Sequence, residues 1–190
     1  MNTLRLSAFA PLCLVLCIAS TACDDSMQDD TGSDTEGTES DGTETAGPGE
    51  IDEAAVQAMA ADFASLTQVS DVPEASQHSL ADTVTFYAAD DVLDLYLTVD
   101  PDAPTEVTFP EGALLVKENL NAAGESDGFF AMYKGPEGYD PEGNDWYWLR
   151  LEGDGTVGNS GQVGFCKDCH GGGSAAVSDF VFGVPLDNRL

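Results

Sequence analysis

Basic side chains are scarce. Of 190 residues only six are Lys or Arg, against 35 Asp and Glu, for a formal net charge of -29. A nucleic-acid binder needs cations to displace phosphate counterions, so that class is excluded. Docking on an anionic membrane through a basic patch is excluded for the same reason. Long apolar runs are also missing: the stretch from Leu6 to Ile18 falls short of the roughly 20 residues that a transmembrane helix needs. Histidine is limited to two residues, and only two of the five cysteines lie beyond position 23. Apolar residues are not scarce. At 42% they are too many for a chain disordered throughout. The charge is therefore unevenly placed. Residues 24–50 hold ten acids and no base, while residues 71–190 hold 22 acids and five bases, so the folded part is acidic in its own right.

The first 22 residues read as a secretory signal: one Arg, a short apolar core and then small residues. Cys23, preceded by Ser20, Thr21 and Ala22 and followed by Asp24, resembles a bacterial lipoprotein cleavage site, where the cysteine becomes the lipidated N-terminus. Residues 23–50 are acidic and poor in apolar side chains, so they are expected to form a disordered tether. Such a chain spans about 29 Å if it behaves as a flexible coil. Residues 51–73 read as an amphipathic helix and its connection. Ile51, Val56, Met59, Phe63 and Leu66 form a core-facing stripe, Asp52 and Glu53 suit the positive end of the helix dipole, and Pro73 helps to close the segment.

Residues 74–190 read as the principal domain. Strands are expected over 83–88, 113–119, 129–134 and 145–151, with a short helix over 91–97 capped by Asp90. Residues 135–144 are rich in Gly and Pro and read as a loop. The pattern predicts an α+β fold, mainly an antiparallel sheet with flanking helices.

Cys166-Lys-Asp-Cys169-His170 carries the chemistry. C-x-x-C-H is the attachment site of c-type haem. Two thiols a few residues apart can add across the two vinyl groups of one haem, and the following imidazole can ligate the iron from the proximal side. Small residues at Gly171–Gly173 would let the chain turn away from the ring. A disulfide would close a small loop of little value. A thioredoxin-like pair calls for a different local context. A zinc site would have to combine adjacent Cys169 and His170 with Cys166 and His78 around one tetrahedral ion. On the other side of the iron, Met132 and His78 are candidates for a sixth ligand. Met132 otherwise reads as core and His78 as a surface or capping residue. If neither binds, the iron is open to a small ligand.

Phe109-Pro-Glu-Gly112, Leu115-Val-Lys117-Glu118, Met132-Tyr-Lys134, Asp145-Trp-Tyr-Trp148, the haem motif and Asp179-Phe-Val-Phe182 follow one another in an order that resembles the cytochrome P-460 and cytochrome c′-beta family. The resemblance covers about residues 78–185. It implies a mainly antiparallel β fold, often dimeric, with one haem c and a vacant distal position. Some members oxidise hydroxylamine, and others bind nitric oxide or carbon monoxide without known turnover.

The resemblance maps the family's haem-linked lysine onto Lys117, which shares a strand face with Leu115. It puts Glu137 near the place of a distal carboxylate, although the 135–144 loop departs from the family pattern. Phe86, Phe129 and Phe130, with Met132, are further candidates for the distal pocket. The expected function is chemistry on hydroxylamine or nitric oxide at an open iron site. Non-catalytic gas binding and simple electron transfer are the alternatives. Expected partners are a small gaseous or nitrogenous ligand, a basic electron-transfer protein and a second copy of the chain, with the membrane reached by the lipid anchor alone. The expected location is the periplasmic side of a bacterial cell envelope, or the medium if Cys23 is not lipidated.

Overall fold

The computed structural model describes residues 49–190 apart from Ser79. The signal, Cys23 and nearly all of the tether lie outside the described residues.

The first element is α1 (Glu53–Ala61). Asp52 caps it, its carboxylate accepting from the Ala55 N–H at 3.0 Å, with Glu53 in the first turn as the dipole favours. The helix stops at Ala61, well before Pro73, and gives way to a tight turn at Phe63–Ser65. Val56 and Ala60 are buried, whereas Met59, expected in the core stripe, is 44% exposed.

Two short strands follow, β1 (Thr67–Gln68) and β2 (Glu74–Ala75). Both pair with β3 (Thr83–Ala88). Helix α2 (Asp90–Tyr96) begins one residue earlier than expected. Asp90 does not cap it. Ala89 occupies the cap position, and the Asp90 carboxylate instead accepts from the Thr67 hydroxyl at 2.6 Å, tying α2 to β1.

The sheet continues through β4 (Leu114–Leu120), β5 (Ser126–Lys134), β6 (Trp146–Glu152) and β7 (Val157–Gly161). Its order is β1-β3-β4-β5-β6-β7, with every pairing antiparallel. Helix α3 (Gly164–His170) follows β7 and carries the cysteine motif. The described residues thus form a mostly antiparallel seven-stranded sheet with three α-helices, an α+β arrangement. Strand β7 was not foreseen, because Val-Gly-Asn-Ser-Gly has little β propensity of its own. It is an edge strand held by its ladder to β6.

Both faces of the sheet are covered. On one, Leu115, Trp146 and Trp148 pack with Val92 and Tyr96 of α2, Phe109, and Val181 and Val184 of the C-terminal segment. On the other, Leu114, Val116, Phe129, Ala131, Tyr147 and Leu149 pack under Val56 and Ala60 of α1. Residues 51–73 are therefore part of the same body as the sheet, not a separate appendage. Double coverage also explains why the Trp146–Leu149 alternation is buried at all four positions.

Candidate functional site

Side chains directly opposite across an antiparallel ladder share a face, and the register therefore places the candidate residues in rows. One row runs Phe86, Lys117, Phe130, Arg150. The next runs Ala88, Leu115, Met132, Trp148. Lys134 lies opposite Trp146 in a third. All three rows belong to the face that carries Trp146 and Trp148, and Cys166, Phe180 and Met132 pack against its apolar layer.

The motif helix lies on this same face. Cys166 and Cys169, three apart in α3, present their thiols to one side and are not joined in a disulfide. Burial pushes the Cys166 thiol up to about 12, outweighing the opposite pull of Lys117. A protonated thiol is a poor nucleophile, which argues against a thioredoxin-like redox pair. Among the described residues no cluster of three or more His, Cys, Asp or Glu groups is arranged to hold a metal ion. The helix is anchored by its own motif residue Lys167, which pairs with buried Asp140 at 3.1 Å. Gly171, directly after the motif, permits a close crossing: a Cβ there would lie 2.8 Å from the Lys167 carbonyl and 3.3 Å from the Phe180 ring.

His170 stands edge-on to Trp148 at 4.7 Å and to Phe182 at 4.9 Å between ring centroids. Its Nδ1 lies 2.7 Å from the Phe180 carbonyl oxygen. A carbonyl can only accept, so Nδ1 carries the proton and Nε2 keeps its lone pair. Burial lowers the His170 pKa to about 4, so the ring is neutral at pH 7. A neutral imidazole whose far N–H is fixed on a backbone carbonyl is the form that ligates metals.

Lys117 and His78 meet at the row of Phe86 and Phe130. Lys117 Nζ is 2.6 Å from His78 Nδ1 and lies 4.8 Å from the centre of the Phe130 ring, against which His78 also packs at 4.6 Å. Burial lowers Lys117 to about 8, opposed by Cys166 and Cys169. Burial first, and then Lys117 and His170, lower His78 to about 3. At pH 7 an ammonium therefore donates to a neutral ring whose Nδ1 accepts. His78, read from the sequence as a surface or capping residue, is half-buried against Phe130 and Lys117.

Two distal-pocket candidates are not on this face. Phe129 points to the opposite layer, where its ring packs on Phe63 at 5.5 Å. Strand alternation requires this once Phe130 faces His78. Glu137 is exposed on the loop between β5 and β6. That loop contributes Asp140, which holds α3, while Tyr139 packs in the layer under α1. Phe86, Phe130 and Met132 are on the motif's face, each partly buried.

Sequence reading also missed the pair Lys134–Asp179, which is buried at 2.8 Å. The residues are 45 positions apart, and no local pattern links them. Two open clefts lie away from α3, one of about 380 Å³ beside this pair and one of about 130 Å³ between α1 and Tyr133. No family model matches the chain, and neither does any curated protein or solved structure.

Proposed function

We propose that this chain is an exported haem c protein of the cytochrome P-460 and cytochrome c′-beta type. One haem would be held by Cys166 and Cys169, with His170 as proximal ligand. The observation that carries the reading is the state of His170: neutral, next to two thiols on one helix face, with Nδ1–H fixed on Phe180 and Nε2 available. Exposed aromatic surface beside the motif supports the reading. Phe165, beside Cys166, is 54% exposed, and Phe182, edge-on to His170, is 39% exposed, so aromatic surface flanks the motif. The Trp148 indole N–H in the same layer is buried without a protein partner.

A haem bound here would supply an iron able to take a small ligand and to exchange electrons. The chain's own contribution would be to fix the proximal imidazole, keep that side dry with Trp148 and Phe182, and present Lys117 and His78 near the thiols. Lys117 is the counterpart of the family's haem-linked lysine. The substrate class is hydroxylamine or nitric oxide. Non-catalytic binding of nitric oxide or carbon monoxide is the second reading. It is favoured by the exposed position of Glu137, which leaves the expected carboxylate out of the site. Simple electron transfer is a third, and it would need Met132 or His78 to act as sixth ligand.

Lipid anchoring at Cys23, a place on the periplasmic side, a homodimer and a basic electron-transfer partner belong to the same proposal. Among the described residues no helix is long and apolar enough to cross a membrane. The domain's acid excess would steer a basic partner.

The test is the holoprotein itself. Haem should stay with the chain on a denaturing gel and be lost in Cys166→Ala/Cys169→Ala; a wild-type chain that releases its haem overturns the reading. A ferrous Soret band shifted far to the red marks a link to Lys117. Ordinary c-type bands with nitric oxide binding mark the second reading. A six-coordinate low-spin spectrum indifferent to carbon monoxide leaves only electron transfer.

A further inference from the structure

Asp179 and Phe180 are consecutive non-glycine residues in the left-handed region, with φ of 55° and 65°. A bulky side chain rarely adopts such backbone, and it persists only where the surroundings over-determine it. Here they do. The Asp179 carboxylate takes Lys134 Nζ on both oxygens, at 2.9 and 2.8 Å, and the Phe109 N–H at 2.8 Å. The Asp179 carbonyl accepts from the Trp146 indole N–H at 2.7 Å. The Phe180 N–H donates to Ala175 at 2.8 Å. Lys134 is held in turn by the Asn144 carbonyl at 2.6 Å and lies 5.0 Å from the centre of the Trp146 ring. The one main-chain group of this turn aimed at the motif is the Phe180 carbonyl, which receives His170 Nδ1–H.

We propose that Lys134 and Asp179 are positioning residues for His170: their buried ion pair locks the left-handed turn that aims the Phe180 carbonyl at the imidazole. The inference deepens the haem reading and rests on it for its consequence, which is control of the proximal ligand. A buried ion pair is weak support for stability, because desolvation offsets most of its attraction. A geometric role accounts for a buried ion pair at this place. The pair also joins two segments that look unrelated in sequence, the end of β5 and the chain after α3.

The experiment uses the full chain, with Asp179→Asn, Lys134→Arg and the double variant Lys134→Met/Asp179→Leu. The double variant strands no buried charge and keeps the question answerable if Asp179→Asn does not fold. The first readout is exchange of the His170 Nδ1 proton by nitrogen-15 NMR, with the reduced protein held under carbon monoxide where haem is attached. Asp179→Asn and the double variant should exchange it roughly tenfold faster, the factor that one lost hydrogen bond of ordinary strength accounts for. Lys134→Arg, which keeps the charge, should restore slow exchange. The second readout is the iron–histidine stretching frequency, which should fall in the same variants, because an imidazole relieved of its carbonyl is a weaker donor. Folded variants with unchanged proton exchange and unchanged frequency overturn the proposal. A chain that carries no haem, yet shows the slow Nδ1 proton and loses it in the variants, upholds the positioning role and overturns the haem reading alone.

Discussion

The two faces of the sheet are built from the same strands and do different work. Beneath α1 the layer is apolar and aromatic, from Leu114 and Val116 to Phe129, Tyr147 and Leu149. The Tyr147 hydroxyl there meets Glu53 at 3.2 Å and Gln57 at 3.3 Å. Beneath α3 the register instead sets Lys117, Lys134 and Arg150 among aromatic rings, with His78 and His170 over them. Taking cations and imidazoles out of water is costly unless each is paired, and the pairs are specific: Lys117 with His78, Lys134 with Asp179, His170 with a carbonyl. One face is organised for packing, and the other accepts the desolvation cost of its cations and imidazoles. Five bases serve the described domain, and three of them stand on this one face.

Substitutions should separate the two. The largest effect belongs to the packing face. Phe129→Ala, at a 2%-exposed position, should cost about 3–5 kcal/mol of stability. It should leave the absorption spectrum of the folded fraction unchanged. Denaturant unfolding and spectra on one sample check this, and a shifted spectrum would show that the faces are not independent.

A smaller effect, dependent on pH, belongs to His78. Its pKa is lowered from 6.5 to about 3, chiefly by burial and then by Lys117, so the folded protein favours the neutral ring. The stability that this gives is present above pH 6.5 and is lost as pH falls through the folded value near 3. The denaturation midpoint of the native chain should therefore fall more steeply over that window than the midpoint of His78→Gln. Parallel curves would mean that His78 is solvated.

The smallest effect is expected at Glu137. As an exposed loop residue its replacement by Gln should change stability by no more than about 0.5 kcal/mol and leave ligand-binding spectra unaltered. A lost or slowed reaction in Glu137→Gln would return the carboxylate to the site and favour turnover over binding.

Much of this site is legible in the sequence alone. The C-x-x-C-H spacing sets two thiols and an imidazole side by side whatever the fold around them. Strand alternation placed Leu115 and Lys117 on one face, and the register confirms it. The four long strands were read to within three residues at their ends, because aromatic and β-branched runs between turn residues are a local signal. Phe129 and Phe130 could not both face the same pocket, and alternation alone could have removed one of them. Which one it removed depended on which face α3 covers, and that is a tertiary fact. His78 was unreadable for a related reason. It lies in an irregular segment, and its burial comes from Phe130 and Lys117, distant in sequence.

Sequence by itself determined the four long strands, the acidity and the thiol–thiol–imidazole triplet, because each rests on neighbours within a few residues. Tertiary structure decided which face the triplet occupies, that Lys117 meets His78 there, and that Glu137 does not. It also decided the state of His170, whose tautomer depends on the Phe180 carbonyl and on a turn held by a lysine 45 residues away from its aspartate. Desolvation and hydrogen-bond direction are properties of what surrounds a group, and only the folded chain supplies those surroundings.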